Sequence, residues 1–180
     1  MNASGTHAFS YLIGTLIDLY VAAVLLRLLL QWTHADFYNP LSRFLIKLTN
    51  PALLPLRRFI PSIGRLDTAA VVLMLALEIC GIWLVSQISS NPMTWGSIIS
   101  FSAIKLVMTL LMTYFFLIIV SVILSWISQG SRHPFIPLIF QLTEPVLRPI
   151  RRVIPPIAGI DLSPLFALIA IRFLILLLGW

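Results

Sequence analysis

Residues 98–127 form a long run with one charged side chain, Lys105. A chain segment of that kind in hydrocarbon must satisfy its own N–H and C=O groups, and an α-helix does so internally. Three more apolar runs, 9–32, 68–89 and 164–180, share the pattern. At about 1.5 Å per residue, the run 9–32 reaches about 36 Å, against a hydrocarbon core of about 30 Å. The sequence therefore predicts an all-α membrane protein with four transmembrane helices. Composition points the same way. Hydrophobic residues make up 59% of the 180 and charged residues 10%, with mean hydropathy +1.02. So few charges could not cover a soluble domain of this size. Cys80 has no second cysteine to pair with, which excludes an intrachain disulfide. The first run follows no basic leader and is too long for a signal peptide, so it reads as a retained helix.

The runs are arranged around a duplicated segment. Leu48-Thr49-Asn50-Pro51-Ala52-Leu53-Leu54-Pro55-Leu56-Arg57-Arg58-Phe59-Ile60-Pro61 returns 94 residues later as Leu142-Thr143-Glu144-Pro145-Val146-Leu147-Arg148-Pro149-Ile150-Arg151-Arg152-Val153-Ile154-Pro155. The same shift aligns Tyr20 with Tyr114, Trp32 with Trp126, Pro40 with Pro134 and Asp67 with Asp161. Over 20–67 against 114–161, 15 of 48 positions are identical without a gap, and they include tryptophan, proline and an arginine pair as well as leucine. The period exceeds that of solenoid repeats and fits a duplicated membrane unit. The expected layout is a first repeat, 1–90, with spans 9–32 and 68–89 around a basic segment 33–67. A second repeat, 91–180, has spans 98–127 and 164–180 around a basic segment 128–163.

Charge sets the expected orientation. The net charge is +6. Arg43, Lys47, Arg57, Arg58 and Arg65 lie in the first basic segment, and Arg132, Arg148, Arg151 and Arg152 in the second. The connection 90–97 has no Lys or Arg. Both basic segments are expected in the cytoplasm and both termini in the periplasm of a bacterial inner membrane. The repeats then run in the same direction, as two parallel-related helical hairpins about a pseudo-two-fold axis along the membrane normal. Within the first segment, Leu41, Phe44, Leu45 and Leu48 have helical spacing opposite Arg43 and Lys47, which predicts a short interfacial helix. Pro51 and Pro55 are expected to prevent it from continuing as a regular helix. Asp67 is placed to cap the second span, and Ser163 to cap the fourth ahead of Pro164.

Motifs for catalysis are absent from the sequence. It has no Gly-rich phosphate loop and no metal-ligand cluster, and His7, His34 and His133 are scattered. The expectation is a non-enzymatic protein without cofactor or metal. Charges inside the apolar runs carry more information, because ionised groups in a bilayer are costly and find partners. Glu78 plus 94 is Arg172, so the repeat places opposite charges at equivalent positions. The expected arrangement is a Glu78–Arg172 pair across the pseudo-symmetry axis, with Asp18 at a similar depth. Read structurally it holds the bundle together; read functionally it is a transport site or proton relay. Arg27 and Lys105 are expected to snorkel toward the interfaces, without a special role.

The motif Pro-x-Arg-Arg-x-Ile-Pro occurs in both copies. Its prolines (Pro51, Pro55, Pro61 and Pro145, Pro149, Pro155) restrict the backbone around Arg57, Arg58, Arg148, Arg151 and Arg152. Guanidinium groups suit the phosphates of anionic lipid headgroups or the carboxylates of a membrane or cytoplasmic protein. The plainer reading is that the arginines set topology and pair with Asp67 and Asp161. Nucleic-acid binding is not expected, since few aromatics accompany the arginines. The other function class is a small ion channel or transporter using Asp18, Glu78 and Arg172. Four short spans with so few polar residues make a poor pore alone, so that reading calls for a homo-oligomer.

These motifs resemble the YggT family of small bacterial integral membrane proteins, called YlmG in other bacteria and in plastids. The resemblance rests on Asp36-Phe37-Tyr38-Asn39-Pro40, Thr49-Asn50-Pro51, the Pro55–Pro61 motif, Ser125-Trp126, Leu142-Thr143-Glu144-Pro145, Leu147–Arg152 and Gly159-Ile160-Asp161-Leu162-Ser163-Pro164. It spans nearly the whole chain and includes the two-repeat form of proteobacterial members. The first copy departs at Asp67-Thr68-Ala69-Ala70, where the family pattern is Asp-x-Ser-Pro. The resemblance implies a multi-spanning inner-membrane protein with no established enzymatic activity. It also implies links to osmotic stress and cell-division genes in bacteria, and to nucleoid distribution and cytochrome-complex assembly in plastids. A scaffold or assembly factor is the role these associations suggest.

Overall fold

The structure, a computed structural model, describes residues 3–35, 39–89, 91–127, 133–156 and 161–179. Asp36-Phe37-Tyr38, Arg132 and Gly159-Ile160, all used above, lie outside the described residues. The described residues form six helices and no strand: α1 Ala3–Trp32, α2 Pro40–Arg57, α3 Thr68–Ile88, α4 Trp95–Ile127, α5 Phe135–Val153 and α6 Ser163–Leu177. Three of them, over Gly5–Trp32, Thr68–Ile88 and Trp95–Ile127, are long and apolar enough to cross a membrane. Such helices are consistent with a membrane protein. α6 has 15 residues, so it extends about 22 Å, short of a hydrocarbon core of about 30 Å. The expected fourth span is thus a shorter apolar helix.

α1 begins at Ala3, ahead of the span expected from residue 9. No proline interrupts 1–32, so nothing there forces the helix to begin later. α1 ends with His34 at φ 51°, while the N–H of Ala35 reaches back to the carbonyl of Leu30 at 3.0 Å. That is the left-handed cap of a terminating helix.

The prolines produce the main difference from expectation. α2 continues through Pro51 and Pro55, and α5 through Pro145 and Pro149. In α2 the buried stripe is Ser42, Leu45, Thr49 and Leu53; in α5 it is Leu138, Leu142, Thr143 and Leu147. The prolines stand on the opposite, exposed sides. Each pair is spaced i, i+4, so the missing N–H groups fall on one face, where the freed carbonyls meet solvent or headgroups.

Residue contacts gather into two units. One comprises Met1–Leu28 with Leu45–Thr109, the other Leu29–Phe44 with Leu110–Trp180. In the first, Val21, Val24, Leu53, Ala69, Met74 and Ile98 are buried. Asp67 precedes α3 and accepts a hydrogen bond from the N–H of Ala70 at 3.3 Å. Gly64, at φ +59°, makes the tight turn that pairs Ile63 with Leu66 just before it. α1 and α3 approach closely at Gly81: a Cβ there would stand 3.1 Å from Cδ1 of Ile17. Small residues permit such approaches between apolar helices. In the second unit α6 packs on α5, with Leu138, Leu142, Ala167 and Ile175 buried. Asn39 ties the start of α2 to that of α5 by donating to the Pro134 carbonyl at 2.7 Å.

Gly81→Leu is expected to force α1 from α3 and lower the thermal midpoint of the detergent-solubilised protein. Gly96→Ala, where an added Cβ meets nothing within 4 Å, is expected to leave it near wild type.

Candidate functional site

Helix length brings three charges together in the first unit. Asp18 lies on α1, Glu78 on α3 and Lys105 on α4. α3 begins at Thr68 and α4 at Trp95, so Glu78 and Lys105 each sit about 15 Å along their helices. Lys105 Nζ lies 2.5 Å from Asp18 Oδ1 and 3.0 Å from Glu78 Oε2. Glu78 is fully buried and Asp18 is half exposed. Glu78 Oε1 has no hydrogen-bond partner among the described residues.

Beside this cluster runs a cleft of about 490 Å³ between α1 and α3, with Asp18 and Lys105 in its wall. His7, Ser10, Thr15 and Ser86 add polar groups, and the hydroxyls of Ser10 and Ser89 stand 3.3 Å apart. This geometry replaces the expected Glu78–Arg172 pair: Glu78 meets Lys105, and Arg172 is exposed on α6. The 94-residue shift hides this partner, because it relates Lys105 to Tyr11, which is uncharged. Starting the span at 98 also placed Lys105 too near its end. With α4 starting at Trp95, the ammonium is too deep to be dismissed as snorkelling.

Arg27 does not snorkel either. It is buried and donates through Nη1 to Thr49 Oγ1 at 2.7 Å; Thr49 in turn donates to the carbonyl of Leu45 at 2.7 Å. The hydroxyl thus anchors a guanidinium of α1 to α2. No signal in the sequence marks Thr49 as its partner.

The two arginine motifs have a common geometry. In the first, Arg57 grips Asp67 Oδ2 through Nε (3.1 Å) and Nη2, while Asp67 Oδ1 caps α3. In the second, Arg151 grips Asp161 Oδ2 through Nε at 3.0 Å and Nη2 at 2.9 Å. Asp161 Oδ1 accepts from the N–H of Ser163 at 2.9 Å. The aspartate, rather than the Ser163 side chain, therefore receives the first N–H of α6. Each aspartate gives one oxygen to the arginine in the last turn of an amphipathic platform helix, α2 or α5, and the other to the helix that follows. Glu144 adds a second carboxylate to Arg151 at 3.3 Å. Asp67 is 3% exposed and Asp161 34%, so the first clamp is the drier one. Burial pushes the Asp161 carboxyl up, but hydrogen bonds from Ser163 and the Arg151 guanidinium outweigh it and hold Asp161 below its ordinary value.

The remaining arginines of the motifs, Arg58, Arg148 and Arg152, are exposed. Pro61 and Pro155 follow the ends of α2 and α5 and are exposed too. Ser125, Trp126, Glu144, Arg151 and Asp161 line a second cleft, of about 390 Å³. No group of three or more His, Cys, Asp or Glu placed to hold a metal occurs among the described residues.

Comparison with known proteins supplies the lineage. The CCB3/YggT family matches the chain over residues 6–88 and 100–180. The chain belongs to this family. It is 44% identical to an uncharacterized protein in the proC 3' region of Vibrio alginolyticus, over 96% of this chain and 94% of that one. It is 39% identical to the uncharacterized protein YggT of Escherichia coli K12, over 88% of this chain and 82% of the relative. An uncharacterized protein of Pseudomonas aeruginosa is 40% identical, over 91% and 84%. No solved structure matches.

Two expectations follow. Thr49→Val leaves the buried Arg27 without this acceptor and should cost about 1–3 kcal/mol, read as thermal unfolding in detergent; Thr49→Ser should stay near wild type. Because Asp161 ionises below its ordinary value when folded, it stabilises the fold at neutral pH. That contribution is lost as pH falls through the folded value. Asp161→Asn should flatten the acid side of a stability–pH profile, by less than about 1 kcal/mol for so exposed a pair.

Proposed function

We propose that this CCB3/YggT family member is a non-enzymatic, multi-pass protein of the bacterial inner membrane that acts as an interaction or assembly factor. Its working surface is the pair of Pro-x-Arg-Arg-x-Ile-Pro segments, facing the cytoplasm. The family resemblance adds envelope or osmotic stress as the setting. One observation carries the reading. In each motif the first arginine, Arg57 or Arg151, is taken up by an aspartate of its own chain. The second, Arg58 or Arg152, is exposed beside an exposed apolar residue: Phe59 at 84% and Val153 at 81%. A cation next to an apolar side chain, at the end of an amphipathic helix, suits a membrane surface with anionic headgroups and a protein docked there.

The exposed side of α2 supports the same reading. It mixes Phe44, Leu48 and Leu54 with Arg43 and Lys47. Such a face fits neither water alone nor hydrocarbon alone. The channel reading, with Asp18, Glu78 and Arg172 along one path, has less support, since Lys105 already neutralises part of the acidic pair.

The test is photo-crosslinking of the full chain in native membranes, with a photoreactive residue at Phe59 or at Val153. A defined protein partner, lost in the double variant Arg58→Gln with Arg152→Gln, is the expected result. Crosslinks to lipid alone, or only to another copy, overturn the assembly role. Thermal stability separates the two arginines of each pair. Arg57→Gln with Arg151→Gln should lower the unfolding midpoint, and Arg58→Gln with Arg152→Gln should not.

A further inference from the structure

The Asp18–Lys105–Glu78 cluster is unbalanced. Two carboxylates face one ammonium, so with all three ionised the group carries a formal charge of −1 inside apolar helices. A net charge there is costly unless another cation joins it. The groups that face Glu78 from neighbouring helices are Asp18 of α1 and Lys105 of α4. His7 and Tyr11 line the cleft farther out. None of these except Lys105 supplies a fixed positive charge.

Glu78 shows where the missing cation belongs. Its carboxylate is fully buried; Oε2 rests on the Lys105 ammonium that Asp18 also claims, and Oε1 has no hydrogen-bond partner among the described residues. Asp18 is half exposed in the cleft wall and held by Lys105. An alkali or alkaline-earth ion would need several oxygens around it, whereas the Lys105 ammonium already stands between the two carboxylates and no third acidic group joins them among the described residues. A proton needs none. Protonated, Glu78 becomes neutral and Lys105 is left matched one-to-one with Asp18.

We propose that Glu78 is an exchangeable proton-binding site within the apolar helices, reached through the α1–α3 cleft, with Lys105 and Asp18 as its gateway. Uptake converts the Glu78 carboxylate to the acid, with a proton delivered from water in the cleft. Release returns that proton the same way, and Lys105 then bridges both carboxylates. Gly81, one turn from Glu78 on α3, keeps α1 near enough for Asp18 to share the lysine. This inference is independent of the arginine platforms.

The experiment is pH-difference infrared spectroscopy of the full chain in liposomes of neutral lipid. The expected result is a titrating protonated-carboxyl band that is lost in Glu78→Gln. Asp18→Asn removes one negative charge and should move the band's midpoint down by about one pH unit or more. Lys105→Gln should move it up. An unchanged band in a folded Glu78→Gln protein overturns the proposal. Should Glu78→Gln fail to fold, an Asp18→Asn midpoint equal to wild type does so instead. A band that responds to sodium at constant pH, rather than to pH, also overturns it, in favour of an alkali-ion site.

Discussion

A guanidinium resting on an aspartate ten residues ahead fixes the architecture at both platform helices. In each case one carboxylate oxygen holds the arginine in the last turn of an amphipathic helix and the other receives an N–H at the start of the next. The clamp determines where the platform stops and the following helix starts. It also divides the paired arginines by role, since only one can reach the aspartate. The apolar helices could form without it, because their backbones satisfy themselves. Their relation to the amphipathic helices depends on it.

Much of this was legible in the sequence. The long apolar runs announce helices, and the plainer reading of the arginine pairs matches them with Asp67 and Asp161. Three features were not legible, each for a physical reason. Proline is read as a helix breaker, yet Pro51, Pro55, Pro145 and Pro149 all lie within helices. Their i, i+4 spacing confines the damage to an exposed face, a property that appears only once the buried face is known. Lys105 was set aside because the start of its helix was placed three residues late. Arg27 was assigned to the interface because nothing in the sequence says that Thr49 will be buried beside it.

The duplication was useful and misleading in the same way. It found the arginine clamps, because backbone geometry at a helix end repeats with the sequence. It failed for the charges inside the apolar helices, where Glu78 was matched with Arg172. A side chain in hydrocarbon chooses its partner by depth and proximity, and Lys105 on α4 satisfied both. Repeated sequence constrains local structure strongly and long-range pairing weakly. Membership of the CCB3/YggT family does not decide such pairings.

The prolines on the exposed faces have one more effect. Pro51 and Pro55 donate no N–H, so the carbonyls of Lys47 and Pro51 lose their helical donors, as do those of Gln141 and Pro145 in α5. Oxygens without donors need water or headgroup contacts, and hydrocarbon offers neither. On a membrane surface each amphipathic helix would carry its own depth gauge: apolar side chains would draw it toward the acyl chains, and the bared carbonyls would stop it at the level where water ends.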